Sequence, residues 1–247
     1  MSTISRRHIV GLAGASLLGG AAWAQEKYPS QMVRILDGYT AGGGTDALAR
    51  YLASKVGPAQ GANVVVENRP GASGQIAMGA LAKSRPDGHT LMVMPNELLS
   101  VTPLLYKQLP FSVENDFAPV AAVADLPVVL TLHPRVNVRD VGELVAMARQ
   151  QPGKLSFGSA GAGTIHHLSL ELFNTLAGVQ LLHVPYKGTS AAVNDLLAGQ
   201  IDGVFSPITA VLPSGRLLNG TWVRSMPWRS LNASACRWAS LPTPLVA

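Results

Sequence analysis

One pattern constrains this chain more than any other: an apolar run opens into a glycine-rich loop and then a helix, and it does so twice. In the first copy Met32-Val33-Arg34-Ile35-Leu36 reads as a buried strand, followed by Gly38-Tyr39-Thr40-Ala41-Gly42-Gly43-Gly44-Thr45-Asp46. The next residues, Ala47 to Val56, place Leu48, Tyr51, Leu52, Lys55 and Val56 at helical spacing. Thr45 or Asp46 can cap that helix, because a short side-chain oxygen accepts a free first-turn N–H. Glycines before a helix leave backbone N–H groups bare and let a ligand come close, and the helix dipole adds positive potential there. Such an element is suited to an anion. A tight turn with no ligand would use the same glycines, so the first copy alone leaves both readings open. In the second copy Leu155-Ser156-Phe157 runs into Gly158-Ser159-Ala160-Gly161-Ala162-Gly163-Thr164 and then a helix from Ile165 to Leu176.

Between and after these copies strands and helices keep alternating. Ala62 to Asn68 is a β-branched strand turned by Arg69-Pro70-Gly71-Ala72, and Ser73 is expected to cap a helix with Ile76, Ala77, Ala80 and Leu81 on one face. Pro86-Asp87-Gly88 is a turn before the strand His89 to Met94. A second set starts with the strand Pro127 to Leu132 and the helix Asp140 to Gln150, with Val141, Leu144, Val145 and Ala148 inward. His183-Val184-Pro185, a Thr189-capped helix through Leu197 and the strand Ile201 to Phe205 complete it. This order implies right-handed βαβ units, mostly parallel sheets and an α/β fold class. Two such sets suggest two lobes, residues 25–124 and 125–213, with both glycine loops at strand carboxyl ends beside one cleft.

The two ends read differently from the body. Arg6-Arg7-His8, an apolar segment from Ile9 to Ala22 and Ala22-Trp23-Ala24 form a cleavable secretory signal, cut after Ala24 and implying export to the periplasm. The paired arginines fit either general or twin-arginine export. From Glu26 to Asp202 the chain holds 13 Lys and Arg against 14 acidic residues, so the body carries −1 despite an overall +5. A near-neutral body argues against a nucleic-acid surface. The single cysteine, Cys236, excludes an internal disulfide and a cysteine-ligated metal cluster. After Asp202 no Asp, Glu or Lys occurs, yet three of the four Trp and the only Cys lie there. From about Leu217 periodicity gives way to an Arg/Trp/Ser/Pro mixture, as an out-of-frame reading of a GC-rich gene would produce. Residues 214–247 are therefore expected to be a frame-shifted, truncated tail.

Several segments in order resemble the solute-binding receptors of tripartite tricarboxylate transporters, the Bug-type periplasmic proteins. They are Tyr28-Pro29-Ser30, Gly42-Gly43-Gly44-Thr45-Asp46, Val66-Glu67-Asn68-Arg69-Pro70-Gly71-Ala72-Ser73-Gly74, Arg85-Pro86-Asp87-Gly88-His89-Thr90-Leu91 and Asp116-Phe117-Ala118-Pro119-Val120. Gly158-Ser159-Ala160-Gly161 with His167-Leu168, then His183-Val184-Pro185-Tyr186-Lys187-Gly188, complete the series. The resemblance implies a type II periplasmic-binding-protein fold of two doubly wound lobes closing on an organic acid, which a monomer hands to a two-component membrane permease. It implies no cofactor, no metal, no nucleic acid and no catalysis. It also implies final elements returning to the first lobe; Ser214-Gly215-Arg216-Leu217 begins that segment and loses it, so the first lobe is expected to be incomplete. Tyr39-Thr40-Ala41 replaces the family's aromatic-proline lead, which points to a different ligand preference.

The resemblance and the loops together give the expected ligand-binding set. Ala41, Gly42, Gly43, Gly44, Thr45 and Asp46 come from the first loop; Ser159, Ala160, Gly161, Gly163 and Thr164 come from the second. His167 either touches ligand or holds the second loop, whereas His166 projects about 100° away from it. Tyr186, Lys187 and Gly188 line the cleft or form an exposed turn. Asn96 stands at a strand end, where its amide could meet a carboxylate or cap the next helix. Asp202 matches a family acidic residue suited to an amine, or serves the fold. An enzyme acting on a small carboxylate is the alternative from another class, but the chain has no G-x-S-x-G elbow and no phosphate-binding G-x-x-x-x-G-K-[ST] loop. A remnant of a disrupted receptor gene, without function, is the other alternative.

Overall fold

The computed structural model describes residues 28–211 and 224–225. The signal segment and, apart from Arg224–Ser225, the unusual tail lie outside the described residues. The elements are β1 (Val33–Asp37), α1 (Gly44–Gln60), β2 (Val64–Asn68), a 3-10 turn (Ala72–Gly74), α2 (Gln75–Ala82), β3 (Thr90–Val93), α3 (Glu97–Ser100) and α4 (Thr102–Leu105). After a long extended connection come β4 (Val128–Leu132), α5 (Val141–Gln150), β5 (Ser156–Ser159), α6 (Ile165–Ala177), β6 (Leu182–Pro185), α7 (Thr189–Leu197), β7 (Gly203–Pro207), α8 (Ile208–Val211) and β8 (Arg224–Ser225).

Two sheets result. The first is parallel throughout, in the order β2-β1-β3. The second, β6-β5-β7-β4-β8, is mixed: β6 and β7 run parallel to β5, while β4 runs antiparallel to both β7 and β8. The direction of β4 matters for the site. Because it is reversed, α5, which follows it, begins at the sheet end opposite the carboxyl ends of β5 and β7.

The second lobe holds most of the core. Phe157 on β5 is fully buried among Leu130, Leu132, Leu144, Ala148, Leu170, Phe173 and Phe205. On the other face Val129, Val204 and Ile201 pack under Ala192, Val193 and Leu196 of α7. Helix α5 buries Leu144 and Ala148, with Val141 and Val145 half-buried against the same core, as its spacing requires. Two helix faces of the first lobe differ from expectation. In α2 the buried residues are Ala77 and Met78, and Ile76 is 54% exposed. In α1 small Ala49 and Gly57 meet the sheet, whereas Tyr51 and Val56 are exposed. Small residues let α1 lie close on β2, so Leu48 and Leu52 are only half-buried and Tyr51 and Val56 point outward.

Phe157→Ala is expected to cost about 3–5 kcal/mol, since it leaves a cavity in the packed interior. Val120→Ala, at a residue 83% exposed, is expected to change stability by less than about 0.5 kcal/mol. Chemical denaturation of the two variants checks this contrast.

Candidate functional site

Three helix ends meet where the lobes touch. The N-caps of α1, α6 and α7 are Gly43, Thr164 and Gly188, and none accepts a first-turn N–H with its own side chain. Thr45, Asp46 and Thr189 therefore do not cap their helices; each lies inside the first turn. Helix α5, at the far end of the second sheet, is the contrast. Its N-cap Asp140 accepts from Glu143 N–H at 2.9 Å. First-turn amides lack partners within their own helix, so an uncapped end needs water, another segment or a ligand.

The first loop is braced from below. Asn68, at the end of β2, donates from Nδ2 to Asp46 Oδ1 at 2.9 Å, to Asp37 Oδ2 at 3.1 Å and to the Tyr39 carbonyl at 3.1 Å. Asp46 is 3% exposed. It accepts the Gly42 N–H at 2.9 Å and Arg50 Nε at 3.0 Å, and these bonds keep its pKa low against the opposing effect of burial. The carboxylate thus faces its own loop, and the Gly42 amide is already occupied. Asp37, fully buried, has its pKa raised to about 6, first by burial and further by the charge of Asp46, while bonds from Thr45 and Asn68 oppose the rise.

The second loop is held by its own side chains. Ser159 Oγ lies 2.6 Å from His183 Nε2 and accepts the Gly161 N–H at 3.0 Å. Thr164 Oγ1 donates to the Gly161 carbonyl at 2.7 Å. His167 Nδ1 accepts the Gly163 N–H at 3.1 Å, and its ring stacks on His183 with centroids 4.0 Å apart. Burial, then the neighbouring His167, lowers the pKa of His183 to about 4, with Glu171 opposing. His167 therefore orients the loop. His166 points the other way, buried with Leu170 and Phe173, and burial lowers its pKa to about 4.

Between the loops lies a cleft of about 530 Å³, lined by Thr40, Ala72 and Ser73 from the first lobe. Gly161, Ala162, Pro185, Tyr186, Lys187 and Ala191 line it from the second. No acidic residue is among these. The expected residues divide accordingly. Gly161, Tyr186 and Lys187 line the cleft, and Gly188 packs against Thr40. Gly42, Gly43 and Gly44 do not line it. They close directly on the second lobe, near Ser190, Thr189 and Pro207 respectively. Ala41 sits in the exposed turn beside them. Ser159, Ala160 and Thr164 are buried, and the Gly163 amide is taken by His167. Asn96 is exposed and begins α3 without a side-chain cap.

Asp202 needs a larger correction. It precedes β7, at the amino end of a strand parallel to β5, so it lies at the sheet end away from the cleft. There it accepts from Ser156 N–H and Oγ at 2.8 and 2.9 Å and pairs with Arg135 at 3.0 Å. Ser73 does not cap a helix either. It sits at φ 53° between Gly71 and Gly74, with Ala72 at φ 47°, so two non-glycine residues in succession are left-handed. That conformation is costly for side chains with a Cβ. It turns the Ser73 hydroxyl across the seam to donate to the Ala162 carbonyl at 2.7 Å. A second bridge joins Thr40 Oγ1 and Ser190 Oγ at 2.7 Å. In the sequence, the flanking glycines were the available signal for Ala72 and Ser73; nothing local marked Thr40 or Asn68.

Set beside known proteins, residues 48–224 match the family described as tripartite tricarboxylate transporter family receptor. A protein of the tcbD-tcbE intergenic region in Pseudomonas sp. strain P51 is 37% identical over 212 residues, 85% of this chain and 63% of that protein. Among solved structures, R. palustris Rpa4515 with adipate is 33% identical with a TM-score of 0.74, over 76% of this chain and 63% of the other. MatC from Rhodopseudomonas palustris with bound malate is 28% identical with a TM-score of 0.73, over 79% and 66%. This chain spans less than two thirds of the length of each of the three.

Two outcomes follow from the geometry. A methyl group at Gly188 would meet the Thr40 backbone nitrogen at 2.7 Å, so Gly188→Ala is expected to part the lobes. X-ray scattering should give it a larger radius of gyration than the wild type, while Gly79→Ala, with space around it, leaves the radius unchanged. The second outcome concerns pH. Folded Asp37 keeps its proton up to about pH 6, above its ordinary value of 3.8, so its contribution favours the fold in acid and is lost as pH rises through that interval. From pH 4 to pH 7, the stability of Asp37→Asn relative to wild type is expected to rise by on the order of 2–3 kcal/mol in thermal or urea unfolding.

Proposed function

Because the chain belongs to the tripartite tricarboxylate transporter receptor family, we propose that it captures a small organic acid between its lobes and delivers it to a membrane permease. One observation carries this reading. Three helix N-termini that lack a cap from their own N-cap residue, the α6 one holding Glu97 instead, converge beside a cleft whose lining among the described residues is backbone, hydroxyls and Lys187, with no acidic side chain. Uncapped amides and helix dipoles supply the positive potential that a carboxylate needs, and Lys187 adds a full charge at the edge. Two similar proteins have structures with adipate and with bound malate, which makes short carboxylic acids the first ligands to try here.

Binding would be conformational as well as chemical. A carboxylate touching Thr40 and Ser73 on one side and the Gly161–Ala162 and Lys187–Gly188 segments on the other contacts both lobes at once. Such a ligand interacts more strongly with the closed form than with an open one, and closure follows from that difference in affinity. The closed surface is what a permease in the membrane would recognise. The role belongs to the periplasm, reached through the signal segment ending at Ala24. In this reading the acid leaves chemically unchanged.

A thermal-shift screen tests the reading. At one hundred times its dissociation constant, a bound acid stabilises the chain by about 2.7 kcal/mol, a rise of roughly 5–10 °C in Tm. The neutral diamide of the same acid should give no shift, and Lys187→Ala should weaken acid binding by about tenfold. Equal shifts with acid and diamide would contradict carboxylate recognition.

A further inference from the structure

The end of α6 already has an anion. Thr164 turns its hydroxyl to the Gly161 carbonyl, so it does not serve the first-turn amides. The Ile165 N–H instead donates to Glu97 Oε1 of the first lobe at 3.2 Å, across 68 residues of sequence. Glu97 stands on the same seam as the cleft. It acts electrostatically on Tyr39, whose hydroxyl donates to the Ser73 carbonyl at 3.4 Å. Ser73 in turn bonds Ala162, three positions before Ile165, and both Ser73 and Ala162 line the cleft. Burial raises the pKa of Glu97, while the bond from Ile165 opposes the rise.

We infer that Glu97 is a specificity-determining residue of the proposed acid receptor: it occupies the α6 helix end and sets the charge that the far end of the ligand can carry. Its negative charge offsets the dipole of α6, so that end of the seam gives no net attraction to a second carboxylate. A ligand carboxylate is directed to the opposite side, toward Lys187 and the α7 N-terminus. The ligand end that comes nearest Glu97 is uncharged or carries an ammonium group. The chain therefore selects monocarboxylates and amino acids over dicarboxylates of equal length, because like charges held close in a partly desolvated site repel. This inference rests on the carboxylate-receptor reading.

Calorimetric titration of the full chain with hexanoate, 6-aminohexanoate and adipate tests both levels separately. The three share a chain length and differ in the far end. Wild type should bind hexanoate and 6-aminohexanoate at least about tenfold more tightly than adipate. Glu97→Gln keeps an oxygen for the Ile165 N–H and removes the charge, and it should narrow or invert that ratio. Glu97→Asp, shorter but still charged, should keep the wild-type order; all three proteins are compared by their melting curves. An adipate-to-hexanoate ratio unchanged by Glu97→Gln overturns the role of Glu97 and leaves the receptor reading standing. Failure of all three compounds to bind wild type overturns both.

Discussion

The cleft depends on helix amides that their own side chains leave unsatisfied. Four N–H groups at each helix start cannot bond within the helix. At α5 the chain answers locally with Asp140, but at α1, α6 and α7 the caps are Gly43, Thr164 and Gly188, with no side-chain bond. The difference follows strand direction. The carboxyl ends of β1 and β5 open toward the seam, and the loops after them end in uncapped helices. The reversed β4 sends α5 to the other side, where ordinary capping returns.

Keeping glycine loops in shape without filling them with side chains demands support from elsewhere. The Asn68 carboxamide joins β2, the end of β1 and the first turn of α1 through Asp37, Tyr39 and Asp46. The His167–His183 stack with Ser159 does the same for the second loop. These supports consume backbone amides, at Gly42 in the first loop and at Gly161 and Gly163 in the second. Hydrogen bonds between the lobes, among the described residues, then come from hydroxyls and a carboxylate: Thr40 with Ser190, Ser73 with Ala162, Glu97 with Ile165. Ala72 and Ser73 adopt left-handed backbone to make one of these contacts, which is the form of local strain expected where a surface is shaped for a partner.

Much of the fold was legible in the sequence because its signals are local. Strand and helix periodicity placed every principal element from β1 to β7, and the end of α7 at Leu197 agrees, although Thr189 is its first residue and not its cap. What periodicity could not show is which lobe supplies a partner. Ser73 reads as a cap until the seam brings Ala162 within reach, and Asp202 reads as a cleft residue until strand direction puts it at the opposite sheet end. Glu97 carries no local motif at all; its partner is 68 residues away. The apolar stripe of α1 misled for a related reason, since the close approach of Ala49 and Gly57 to the sheet decides the buried face, not the size of the side chains around it.

The central claim is that the cleft between the lobes receives a carboxylate, and amide chemical shifts on both sides of it report this most directly. Titrating hexanoate into nitrogen-15-labelled protein should move the amide signals of Thr40–Thr45, Ala72–Ser73, Gly161–Ala162 and Lys187–Ser190 together, with one common saturation curve. Signals around Asp202 and Asp140, at the far end of the second lobe, should stay still. Shifts confined to one lobe, scattered over the surface, or absent at saturating acid would contradict a ligand site shared by the two lobes.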